Sequence, residues 1–131
     1  MTNKTMNYAD MLKEWSEATG GDPASIGEWA ELREKLITEE YEEVIEALYY
    51  FERTGDAKPL AKELSDLVYV CFGTAQRPGV DLDTAFKIVH RGNMEKIHPD
   101  GSYRVREDGK ILKPEGWKQP DMSPAIGDVE V

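Results

Sequence analysis

Glu39-Glu40-Tyr41-Glu42-Glu43 and the later Glu63-Leu64-Ser65-Asp66 hold the residues whose type and spacing suit them to chemistry. Both stretches lie in runs that read as helix, where residues three apart sit on neighbouring turns of one face. Glu40 and Glu43 therefore form one carboxylate pair, and Glu63 and Asp66 form another. Brought together, the two pairs put four negative charges in one place. At roughly 4 Å and an effective dielectric near 20, each like-charge contact costs about 4 kcal/mol. The cluster then needs protons or a divalent cation, and a set of oxygen ligands alone suits magnesium or manganese better than zinc or copper.

The elements that must position these acids are legible from hydrophobic period. Met6, Tyr8, Met11, Leu12 and Trp15 recur at helical spacing from about Asn3 to Thr19, and Gly20-Gly21 ends that run. Ser25-Ile26-Gly27-Glu28 has the form of a capping box. It opens a long helix whose stripe (Ile26, Trp29, Ala30, Leu36, Ile37, Tyr41, Val44, Ile45, Leu48) persists to Thr54-Gly55. A third helix starts near Pro59 and runs to about Gln76, carrying Leu60, Leu64, Leu67, Val68 and Cys71. The short link between these two helices favours an antiparallel pair, which can set the acidic pairs opposite each other. In both helices the acids border the apolar stripe, so packing would partly desolvate them, at a cost unless something pairs with them. Salt bridges to Arg33, Lys35 or Lys62 are the alternative, a merely solvated charged face.

A fourth helix, capped by Asp81 or Asp83, is expected to reach about His98. Beyond it, Tyr103 to Arg106 and Lys110 to Lys113 alternate at period two around Asp108-Gly109, which predicts a β-hairpin. Pro114 to Val131 reads as an extended, partly mobile tail. The expected fold is all-α: a four-helix, bundle-like core over about residues 3–98 with a short C-terminal hairpin and tail over 99–131, in a single domain spanning 1–131.

Composition narrows the function. With 131 residues the chain suits one core, and its net charge of -10 argues against nucleic acid or an acidic membrane as partner. No apolar run approaches the roughly 20 residues of a membrane span, the N-terminus has no signal-peptide pattern, and cytoplasm is the expected location. The single cysteine, Cys71, falls among Val68, Tyr69, Val70 and Phe72 and reads as a small core residue. Trp15 and Trp29 offer aromatic faces on which a base can stack. Arg104, Lys110 and Lys113 are cations in an acidic chain, within reach of a role in holding phosphate.

The pattern Glu39, Glu40, Glu43 followed by Glu63 and Asp66 resembles the signature of the MazG-like all-α nucleoside triphosphate pyrophosphohydrolases. Asn93-Met94-Glu95-Lys96 resembles that family's later Asn-Met-x-Lys segment. Asp108-Gly109-Lys110 through Lys113-Pro114 and Trp117 resembles the tail of its small, single-domain, often phage-borne members, which would place the chain in host cytoplasm.

The resemblance implies hydrolysis of a nucleoside triphosphate, a deoxynucleotide such as dGTP or dCTP, to the monophosphate and pyrophosphate by metal-activated water. It implies Glu40, Glu43, Glu63 and Asp66 as ligands of Mg2+, with Mn2+ able to substitute. Glu39 is implied as a further ligand or the base that orients water, with Asn93 and Lys96 on phosphate oxygens. By analogy the chain is expected to form a homo-oligomer, a tetramer built as a dimer of dimers. Two alternatives stand beside it: phosphoribosyl-ATP pyrophosphohydrolase, and a non-catalytic helical module that binds a nucleotide or a partner protein.

Overall fold

A computed structural model describes residues 5–127. Among them are four α-helices, α1 (Tyr8–Thr19), α2 (Ile26–Thr54), α3 (Lys58–Gln76) and α4 (Leu82–Met94), a 3-10 turn at Ser123–Ala125, and no β-sheet. The chain divides into two compact units, the first through Gly79 and the second from Val80. None of these helices is long and apolar enough to cross a membrane.

In the first unit, local chemistry sets the helix ends. Asn7 Oδ1 accepts from the Asp10 N–H at 2.8 Å, so α1 starts at Tyr8. The expected start, Asn3, lies outside the described residues. Ser25 Oγ accepts from the Glu28 N–H at 3.2 Å to open α2, and Gly55, at φ 74, closes it in the left-handed conformation that a side chain disfavours. Pro59 stands in the first turn of α3, where a missing N–H costs nothing.

Helix α3 packs against both other helices. It runs along α2, with Arg33 against Gly73 and Glu43 against Glu63, so the two helices are antiparallel. Helix α1 docks on α3 through edge-to-face pairs, Tyr8 on Phe72 (5.5 Å) and Trp15 on Tyr69 (6.3 Å). Leu12, Ala47 and Ala75 are buried, whereas Ile37, Tyr41 and Leu48, part of the expected core stripe, are exposed. Cys71 is exposed too, which corrects its core assignment; desolvation by its apolar neighbours still pushes the thiol pKa up, away from a nucleophilic thiolate.

The second unit is built on α4. Asp81, not Asp83, is its cap, accepting from the Thr84 N–H at 3.1 Å and the Thr84 hydroxyl at 2.8 Å. The helix stops at Met94 rather than His98. Lys96 N–H and Ile97 N–H bond the carbonyls three residues back, of Asn93 and Met94, tightening the last turn, and His98 precedes a proline.

The predicted hairpin does not form. Arg106 and Lys110 close the Asp108-Gly109 turn with backbone bonds, but pairing amounts to one isolated bridge, Val105 to Ile111. Residues 103–111 are exposed throughout, so the alternating pattern finds no surface to bury against, and a lone ribbon is marginal in water.

The segment read as a mobile tail is anchored instead. The Trp117 indole N–H donates to the Gly92 carbonyl at 2.8 Å. A Cβ on Gly92 would stand 3.2 Å from Pro120 Cγ, so a side chain there would push this segment off α4 by a few tenths of an ångström. Farther on, Asp81 N–H donates to the Ala125 carbonyl at 2.8 Å and Ala125 is buried. Residues 128–131 of the expected tail lie outside the described residues.

Candidate active site

Glu40 and Glu43 project from α2 toward Glu63 and Asp66 on α3, and one carboxylate oxygen from each lies within 4.8 Å of the others. Glu40, Glu63 and Asp66 are half-buried and Glu43 is exposed at the rim. Glu40 Oε2 and Glu63 Oε2 are fully buried, with no hydrogen-bond partner among the described residues. A buried carboxylate oxygen in that condition carries an unrelieved desolvation penalty.

The charge balance sharpens the point. Lys62 Nζ reaches Asp66 Oδ2 at 2.7 Å and Glu63 Oε1 at 3.4 Å, the nearest the structure comes to the solvated-face alternative. Its side chain is 69% exposed, and one mobile ammonium cannot neutralise four carboxylates. Arg33, another of the three cations named for that role, is bound to Asp22 instead. Glu63 responds by holding its proton above the usual carboxylate range, first because it shares a hydrogen bond with the Glu43 carboxyl and then because it is buried. Four converging oxygens, two of them orphaned and one belonging to a carboxyl whose pKa is raised, fit a hard divalent cation.

The groove between α2 and α3 opens on either side of the acids. On one side a cavity of about 540 Å³ is lined by Glu43, Glu46, Ala47, Tyr50, Arg53, Pro59 and Glu63. Sequence reasoning missed Arg53; its distance in the chain from both acid motifs hid that it shares a cavity with them. On the other side, a cavity of about 340 Å³ has Trp15 and Tyr69 in its walls with Arg33, Gly73 and Gln76. Trp29 does not line it. That indole is half-buried under Arg77, whose guanidinium carbon lies 5.8 Å from the ring centroid. Glu39 is exposed and outside the four-carboxylate cluster.

A family model for phosphoribosyl-ATP pyrophosphohydrolase (PRA-PH) matches residues 9–93, well over half of the chain and all four clustered acids. The chain belongs to the PRA-PH family. This places it among the MazG-like all-α nucleotide pyrophosphohydrolases and makes it an enzyme of that general activity. No curated protein matches it.

In this PRA-PH family member the remaining predicted site residues belong to the second unit. Asn93, Lys96 and Lys110 line one cavity of about 460 Å³ with Met94, Ile97, Tyr103 and Ile111. Lys113 is not in that lining, but its ammonium lies 5.2 Å from the Trp117 ring centroid and that of Lys96 lies 5.1 Å from it. Such cation–π contacts restrict two otherwise flexible chains at a cost lower than burial would impose. Trp117 thus ties α4, the tail and both lysines together, a role no local pattern announces.

Proposed function

We propose that this enzyme hydrolyses a nucleoside triphosphate, a deoxynucleotide, between the α and β phosphates, releasing the monophosphate and pyrophosphate, with Mg2+ as cofactor and Mn2+ able to replace it. The observation that carries this reading is the pair of buried, partnerless oxygens of Glu40 and Glu63 inside a four-carboxylate cluster. Glu40, Glu43, Glu63 and Asp66 would hold the cation. The chemistry it supplies when bound is neutralisation of the triphosphate and activation of water for in-line attack.

The chain's own residues do the rest. Asp66 gives up Lys62, whose exposed ammonium swings away at little cost. Glu63, whose pKa is raised first by its contact with Glu43, would ligate in its ionised form. Glu39, about 100° round the helix from Glu40, orients water from the rim. Trp15, 56% exposed and in the wall of the smaller cavity, stacks on the base, and Asn93, Lys96, Lys110 and Lys113 bind phosphate oxygens. Trp29, under Arg77, keeps a packing role.

Pyrophosphate release from a panel of triphosphates, with and without magnesium, tests the reading. Metal-dependent turnover of at least one deoxynucleotide is expected, and an inert protein under every condition overturns it. The family match favours a second reading, phosphoribosyl-ATP as the substrate. That compound belongs in the panel, and turnover of it alone would decide for the second reading.

The same proposal includes a cytoplasmic setting, where free nucleoside triphosphates are found, and a homo-oligomer, a dimer of dimers. Ile37, Tyr41, Leu48 and Phe51 follow one another at helical spacing on α2 and all are exposed, an apolar stripe of the kind that a second copy covers. Sedimentation at four times the chain mass is expected; a monomer at micromolar concentration would remove the assembly.

A further inference from the structure

The smaller cavity of the first unit holds an arginine fixed to a degree unusual for a surface helix. Arg33 Nε donates to Asp22 Oδ2 at 3.0 Å and Arg33 Nη2 to Asp22 Oδ1 at 2.6 Å, a two-pronged pair that sets the plane of the guanidinium. The guanidinium lies directly over the backbone of α3, because a Cβ on Gly73 would come within 2.8 Å of Arg33 Nη1. The arginine side chain is only 13% exposed. Nε and Nη2 are thus committed to Asp22, while Nη1 has no hydrogen-bond partner among the described residues, and Arg33 lines a cavity walled by Trp15, Tyr69 and Leu36.

Position along the groove suits a nucleotide. Arg33 stands seven residues before Glu40 on α2, and Gly73 seven after Asp66 on the antiparallel α3. At 1.5 Å per residue both separations are about 10 Å, which spans a nucleoside between its base and its first phosphates. The one cation among the cavity's lining residues is Arg33, and a guanidinium donates and never accepts. Both Asp22 oxygens accept from Arg33, and the Ser16, Thr19 and Tyr69 hydroxyls are uncharged and can each accept. Gln76 can present either an oxygen or an NH2 group and so takes no side.

We propose that Arg33, held by Asp22 and admitted by Gly73, makes this cavity select nucleobases that present a carbonyl oxygen (hypoxanthine, guanine, uracil or thymine) over those that present an amino group there, adenine and cytosine. The inference rests on the nucleotide reading above and assigns the base-selecting residue of that site. A carbonyl oxygen accepts from Nη1 without moving the arginine. An exocyclic amine brings donor against donor, leaving the Nη1 hydrogens unpaired in a partly dry cavity and placing a polar hydrogen against a cation. One well-made arginine contact to a base edge discriminates by about tenfold to a hundredfold.

Matched pairs isolate the group in question: dITP against dATP, and dUTP against dCTP. With magnesium, kcat/KM is expected to favour the carbonyl member of each pair by at least about tenfold. Arg33→Lys keeps the charge but loses the fork, and Gly73→Ala leaves the arginine in the sequence while displacing it; both should bring the ratios toward one. In a second arm, dIMP and dAMP are titrated into metal-free protein with tryptophan fluorescence, to which Trp15 contributes, and dIMP should bind at least about tenfold tighter.

Ratios near one, or inverted, in the wild-type protein overturn the proposal, as does failure of dIMP to bind at millimolar concentration. If dIMP outbinds dAMP while every triphosphate survives intact, the base selection stands and the hydrolytic reading falls. Should either variant fail to fold, the wild-type pairs still decide.

Discussion

Glu40→Gln is expected to slow pyrophosphate release by at least about 100-fold, the scale lost with a single preorganised electrostatic group, while the helical circular-dichroism signal stays in place. The substitution keeps the shape of the side chain and removes a charge. Glu40 contributes one of the two carboxylate oxygens that are buried and partnerless, so in the cation's absence its charge is a cost to the fold. An amide there relieves that cost and cannot replace a carboxylate as a hard-cation ligand. The melting temperature should therefore stay level or rise as activity collapses, a combination that a role in stability alone would not produce. Equal losses of helicity and rate, or undiminished turnover, would remove Glu40 from the site.

The second large effect concerns magnesium and pH together. A ligand that binds only the folded chain, at about 100 times its dissociation constant, adds about 2.7 kcal/mol, which for a chain of this size raises the melting temperature on the order of 10 °C. The pH dependence follows from Glu63, whose folded-state pKa is raised by the hydrogen bond it shares with Glu43 and by burial. A raised carboxyl pKa contributes stability that is fully present below the ordinary glutamate range and lost as pH rises through the raised value. The metal-free protein should thus lose stability as pH rises above the ordinary glutamate range. Ligation of magnesium would favour the ionised carboxylates, so its stabilisation should grow over the same interval. Glu63→Gln should flatten the metal-free profile and remove most of the magnesium effect. A magnesium shift that is independent of pH, or unaltered by Glu63→Gln, would place the cation elsewhere.

The acidic centre was legible in the sequence for a simple reason. Spacing of three on a helix and a short link between helices are local facts, and together they bring Glu40, Glu43, Glu63 and Asp66 to one place. Helix ends were legible where a cap residue fixed them, as at Ser25 and Asp81. Features decided by crossings between distant segments were not. Arg33 was available as a salt-bridge partner for the acids, yet it binds Asp22 and lies over Gly73, because the missing side chain on α3 opens that route.

The same division explains the C-terminal segment. Period-two alternation around Asp108-Gly109 predicted strands, but alternation makes a sheet only when one face has something to cover, and residues 103–111 are exposed. Composition predicted a mobile tail after Pro114. Its anchoring depends on one indole hydrogen bond to Gly92 and on the space that glycine leaves for Pro120, neither of which composition can register.

Crystals grown with Mn2+ and measured at its absorption edge test the central claim most directly. An anomalous peak is expected among the carboxylates of Glu40, Glu43, Glu63 and Asp66, with Lys62 turned away from Asp66. Occupied manganese sites elsewhere, or no peak at saturating manganese with Lys62 still on Asp66, would contradict it.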